Sequence, residues 1–107
     1  MKTFMDQKLL VVVTYSDDKP ALTEIADSLM MLGVPSVHLS VVESWYRWKG
    51  KRYNADEFRL DVLCPKELLV DVVNLIKQGH NYDAPAITWY EVDVDESTYG
   101  WGTGVKF

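Results

Sequence analysis

The spacing of apolar residues changes character several times along the chain. Lys8–Tyr15 carries an unbroken run, Leu9-Leu10-Val11-Val12-Val13, apolar on both alternating sides. Such a run predicts a central strand covered on both faces. Ser16-Asp17-Asp18-Lys19-Pro20 then sets an acidic or hydroxyl cap ahead of a proline suited to a first helical turn. Leu22, Ile25, Leu29 and Leu32 recur at helical spacing until Gly33 and Pro35 end the segment. From Ser36 to Trp48 the pattern is extended, with Val37, Leu39 and Val41 on one side and His38, Ser40 and Ser44 on the other. Lys49-Gly50-Lys51 predicts a turn, and Tyr53–Leu63 the returning strand. On it Phe58, Leu60 and Val62 share one face and Glu57, Arg59 and Asp61 the opposite one. Cys64-Pro65 opens a second helix, with Leu69, Val72, Val73 and Ile76 as its apolar stripe and Gly79 as its cap. His80–Pro85 reads as a loop and Ala86–Val94 as a fourth strand. Ser97–Gly104, with Trp101 among glycines, reads as a short final turn or helix.

The order β-α-β-β-α-β is that of an α+β, ferredoxin-like sandwich, with two helices on one face of an antiparallel sheet. Residues 1–107 make a single domain, since 107 residues leave no room for two cores; residues 1–6 read as a loose terminus.

The hairpin does not fit inside that domain. A strand over residues 36–48 extends roughly 43 Å. A compact chain of this length has a radius of gyration of about 13 Å, so a diameter on the order of 34 Å. Trp45, Tyr46 and Trp48 lie near the overhanging tip, out of reach of their own helices. Burying one such side chain is worth roughly 1.5–3 kcal/mol, and an exposed cluster invites aggregation. Packing against another copy of the chain answers both. The plainer alternative is that Trp45 and Trp48 fold back over the sheet edge. The charged face of Glu57, Arg59 and Asp61 is expected to be solvated, or to satisfy itself as ion pairs.

Composition adds exclusions. A net charge of −5, from 11 Lys+Arg against 16 Asp+Glu, gives no basic face for nucleic acid. Cys64 is the single cysteine, so no intrachain disulfide forms. That favours a reducing compartment. The opening MKTFMDQKLLVVV lacks a signal-peptide pattern, and no stretch approaches a membrane span. The expectation is a soluble cytoplasmic protein with neither membrane nor nucleic-acid partner. Gly-x-Ser-x-Gly, Walker and dinucleotide motifs are lacking, so the expectation is not an enzyme.

Four motifs, taken together and in order, resemble the CutA family of divalent-cation tolerance proteins. They are "SWYRWKGK" at 44–51, Glu57 on the return strand, "IKQGHNYDAPAI" at 76–87, and the late Trp101. Within them the family positions are Ser44, Tyr46, Trp48, Gly50, Lys51, Glu57, His80, Tyr82, Pro85 and Trp101. The resemblance runs from about residue 8 to 102. It implies a ferredoxin-like domain assembled as a homotrimer similar to the PII signalling proteins, with the long hairpin reaching onto the neighbouring subunit. It further implies a non-enzymatic role in tolerance or response to copper and other divalent ions. Two departures stand out. Gly33-Val34-Pro35-Ser36 lacks a cysteine found there in many members, which removes a soft ligand. Leu63-Cys64 replaces a Lys-Thr pair.

The candidate metal ligands are Glu57 and His80, for an ion of the copper or zinc kind. Such an ion wants several N, S or O donors. The chain offers only His38, Cys64 and His80 besides carboxylates, so a site needs neighbouring subunits. The structural alternative for His80 is a local hydrogen bond fixing its loop; His38 reads as a structural or surface histidine and Cys64 as a buried inert thiol. Tyr46, Trp48, Lys51, Tyr82 and Trp101 are candidates to line a cleft, against the alternative of interface core. Two further functions stand beside metal binding. One is a PII-like sensor taking a metabolite at the subunit clefts, the other a trimeric scaffold for an unidentified protein partner.

Overall fold

The computed structural model describes residues 7–104; the expectation of a loose terminus over 1–6 lies outside the described residues. Strands β1 (Lys8–Ser16), β2 (Ser36–Trp48), β3 (Lys51–Cys64) and β4 (Ile87–Asp93) combine with helices α1 (Lys19–Leu32), α2 (Leu69–Gly79) and α3 (Glu96–Gly102). The sheet is antiparallel in the order β2-β3-β1-β4. This is the ferredoxin-like α+β arrangement expected from the sequence.

The apolar run of β1 occupies the centre, as predicted. Leu10 and Val12 point to the helices and join Leu60, Val62 and Cys64 of β3, Leu22, Ile25 and Leu29 of α1, and Val72 and Ile76 of α2 in one core. Leu9 and Val13, on the alternate face, are also buried. Leu9 meets α3, where a Cβ on Gly102 would stand 2.7 Å from Leu9 Cδ1. The last helix therefore covers the second face at one end of β1.

α1 begins as its sequence indicates. Asp18 caps it by accepting the Ala21 N–H at 3.1 Å, Pro20 sits in the first turn, and Gly33 ends it at φ 115°. α2 departs from expectation at both ends. Lys66–Leu68 form a 3-10 turn before the α-helix starts at Leu69. Gly79 is the last helical residue and not the cap; His80, extended at φ −73° and ψ 143°, follows it. The reason for glycine is packing, because a Cβ at Gly79 would lie 2.7 Å from Ile25 Cγ1 in α1.

β2 and β3 pair without interruption from Ser36↔Leu63 to Trp48↔Lys51. Lys49 and Gly50 alone make the turn, both at positive φ (51° and 78°), as a tight two-residue hairpin requires. The molecule extends 51 × 25 × 22 Å, with a radius of gyration of 15.2 Å. A compact chain of this length has about 13 Å, so the ribbon overhangs the globule. Its side chains remain open: Val41 is 73% exposed and Trp45 71%. Tyr46 stacks on Tyr53 across the ribbon, with centroids 5.3 Å apart, and Lys49 lies 5.8 Å over Trp48. Trp45 and Trp48 do not find shelter by folding back within the chain.

Candidate functional site

β1 stops at Ser16, paired with Phe58. Glu57, one residue further on, loses its neighbouring strand there. The loop after α2 takes that place. His80 Nε2 meets the Tyr15 carbonyl at 2.8 Å, and the Tyr82 N–H donates to His80 Nδ1 at 3.0 Å. Nδ1 is therefore the acceptor and Nε2 carries the proton. Ser16 Oγ bonds Asn81 Oδ1, and Asn81 Nδ2 donates to Asp17 Oδ1 at 2.9 Å. These bonds lay Tyr82 across the end of the sheet. Its hydroxyl accepts the Asp17 N–H at 2.9 Å and donates to Glu57 Oε2 at 2.8 Å.

Glu57 is thus not on a solvated face: it is only 6% exposed. Tyr82 is its one hydrogen-bond donor, and no ion pair holds it, among the described residues. Arg59, two positions along the same face, is paired as anticipated. Its Nε lies 2.6 Å from Asp61 Oδ1, and its guanidinium stands 5.9 Å from the Tyr15 ring. The hydrogen bond to Asp61 pushes Arg59 further up from its ordinary value. Burial first, then the bond to Glu57, pushes the Tyr82 phenol up, so it stays a donor.

A groove of about 830 Å³ opens between this corner and the hairpin. Glu57, Arg59, Tyr15 and Tyr82 line it, as do Trp45, Tyr46 and Trp48 of the hairpin, with Glu43, Arg47 and Asp83 as further charged lining residues. Of the residues selected from sequence, Glu57, Tyr46, Trp48 and Tyr82 come together here. His80 sits behind Tyr82, its ring centroid 5.0 Å away. Lys51, paired with Trp48 at the tip, and Trp101, half exposed on α3, lie outside the groove. Arg59 and Tyr15 were missed as site residues; the signal available was that Glu57 and Arg59 share a strand face.

The donor set of one chain does not fit a copper- or zinc-type ion. Such an ion needs three or more N, S or O ligands. Among the described residues no group of three or more His, Cys, Asp or Glu converges. His80 has both ring nitrogens engaged. Cys64 is buried, and burial pushes its thiol up to about 11, which disfavours the thiolate a metal needs.

Burial holds His80 below its usual value of 6.5, against the opposing pull of the Tyr15 carbonyl, Asp17 and Glu57. As pH falls through about 6.5 the unfolded chain takes up this proton first. The stability His80 contributes is therefore complete above that pH and is lost progressively down to the depressed folded value. Protonated Nδ1 would also confront the Tyr82 N–H. Melting temperatures are expected to fall between about pH 7.5 and about pH 5.5, above the usual carboxylate range. His80→Gln should flatten that interval; equal slopes in the two proteins would refute the role.

The fold has close relatives among solved structures. CutA from Pyrococcus horikoshii aligns with a TM-score of 0.83 at 25% identity, covering 89% of this chain and 96% of that one. The periplasmic divalent cation tolerance protein CutA from Archaeoglobus fulgidus gives 0.83 at 20% identity, covering 91% and 96%. CutA1 from Oryza sativa gives 0.82 at 23%, covering 95% of each chain. No curated protein sequence matches. The family described as CutA1 divalent ion tolerance protein matches residues 9–103. Since that match takes in all but the first residue of β1 and runs past the end of α3, the chain belongs to the CutA1 divalent ion tolerance family.

Proposed function

We propose that the chain serves divalent-cation tolerance as a non-catalytic, cytoplasmic homotrimer whose working site is the groove beside Glu57. The family supports the tolerance role. The observation that carries the site is Glu57 itself. A buried carboxylate is costly unless a cation or several hydrogen bonds compensate it. Among the described residues Glu57 has one side-chain hydrogen bond, from Tyr82, and it lines a groove. It is therefore the group best placed to receive a cation. Where that cation is a metal ion, adjoining copies must supply the remaining donors, with His80 acting through the loop it fixes. The exposed aromatic ribbon supports assembly, and the family resemblance implies three copies.

Calorimetric titration of the intact assembly with zinc and with copper tests the metal reading. Binding heat is expected in the wild type and should vanish in Glu57→Gln. No heat, or superimposable isotherms, would remove it.

A second reading is favoured by the groove's form. Its volume lies in the range of small-molecule sites, about 300–1,000 Å³, and aromatic side chains line it together with charged ones that can orient a ligand, Glu43, Arg47, Glu57, Arg59 and Asp83. Here the groove works as the sensing site for a metabolite.

A further inference from the structure

We propose that the groove takes a small zwitterion, an α-amino acid with an apolar or aromatic side chain, its ammonium on Glu57 and its carboxylate on Arg59. This rests on the small-molecule reading of the groove and names the ligand class.

Glu57 and Arg59 stand two positions apart on one strand face, roughly 6.6 Å along β3. Both line the groove. Each is held by a partner within the chain. Tyr82 holds Glu57 Oε2, and Asp61 together with the Tyr15 ring holds Arg59. Each keeps capacity to spare. A carboxylate accepts about four hydrogen bonds and a guanidinium offers five N–H donors. Among the described residues Tyr82 is the one partner of the first and Asp61 the one hydrogen-bond acceptor for the second. A carboxylate and a guanidinium at successive same-face positions of one strand, each held by its own partner, offer one anionic and one cationic contact to a molecule that carries both an amine and a carboxylate. Tyr15, Tyr82, Ala84 and Ala86, which line the same groove, offer apolar surface to the remainder of the molecule.

Other ligand classes fit less well. A polyphosphate would meet the carboxylates of Glu43, Glu57 and Asp83 along the groove, against Arg47 and an Arg59 already shared with Asp61. A bare metal ion finds no converging group of three His, Cys, Asp or Glu among the described residues. A purely apolar molecule leaves the buried Glu57 without its cation.

Three probes decide the matter on the intact assembly with chelator present, read by melting temperature and tryptophan fluorescence. They are L-phenylalanine, N-acetyl-L-phenylalanine, which lacks the ammonium, and L-phenylalanine amide, which lacks the carboxylate. The free amino acid is expected to bind at least about tenfold more tightly than either blocked form, the worth of one charge-assisted bond. Glu57→Gln should abolish the preference over the N-acetyl form and keep the preference over the amide; Arg59→Gln should do the reverse. Equal binding of all three probes would overturn the charge pairing and leave the groove a small-molecule site. Binding of none would overturn both. The wild-type comparison decides even where a variant does not fold.

Discussion

Replacing residues 45–54 by Asn-Gly is expected to turn the assembly into monomers. The replacement leaves Ser44 opposite Ala55, as the β2–β3 register already has them, and supplies a dipeptide suited to a tight hairpin. No residue of the buried core lies in the removed segment. The shortened chain should therefore keep its secondary structure while losing its partners. The size of the effect follows from the exposed ribbon. Trp45, Tyr46, Trp48 and Tyr53 are between 40% and 71% exposed in one copy, and each large apolar side chain covered by a neighbour contributes roughly 1.5–3 kcal/mol. Losing several at once removes more than an ordinary interface can spare. Light scattering checks the result directly. An unchanged multimer mass would show that the ribbon is not what joins the copies.

Tyr82→Phe is expected to destabilise the fold by about 2–3 kcal/mol, a large effect for one oxygen atom. The hydroxyl serves two groups, donating to the buried Glu57 Oε2 and accepting from the N–H of the exposed Asp17. Without it a nearly buried carboxylate has no donor among the described residues, and a hydrogen bond to a charged group is worth about 1.5–3 kcal/mol. The same substitution in a Glu57→Gln background should cost markedly less, because a neutral amide tolerates the loss better. A double-mutant cycle at fixed protein concentration measures the difference, expected to exceed about 1 kcal/mol. A coupling near zero would mean that the Tyr82–Glu57 contact does not organise the site.

Much of the architecture was legible residue by residue. Alternation over Ser36–Trp48 and the facing pattern of Phe58, Leu60 and Val62 are local signals, and the observed pairs Val37↔Val62, Leu39↔Leu60 and Val41↔Phe58 follow them. Asp18, Pro20 and Gly33 act within one helical turn of their positions, so the bounds of α1 could be read directly. The overhang of the ribbon needed only a length and a chain size. Gly79 was misread as a helix cap because its actual constraint, Ile25, is fifty-four positions away in α1.

The site divides in the same way. Its residue types were visible as short motifs, and Glu57 and His80 could be singled out without coordinates. Their environment could not. Glu57 was expected on a solvated or ion-paired face because strand alternation says which side a residue points to, not what lies over that side. Its burial depends on β1 ending at Ser16 and on the 80–86 loop crossing that end. His80 was an ambiguous ligand from sequence; a backbone carbonyl sixty-five positions earlier takes up Nε2, and the Tyr82 N–H takes up Nδ1, which together set its tautomer. The amino-acid sequence by itself determined the elements, their order and an apolar ribbon too long for its own globule, since these depend on periodicity and length. Only the tertiary structure decided that Glu57 is buried and, among the described residues, held by Tyr82 alone, because burial and hydrogen-bond partnership arise from segments brought together across the whole chain.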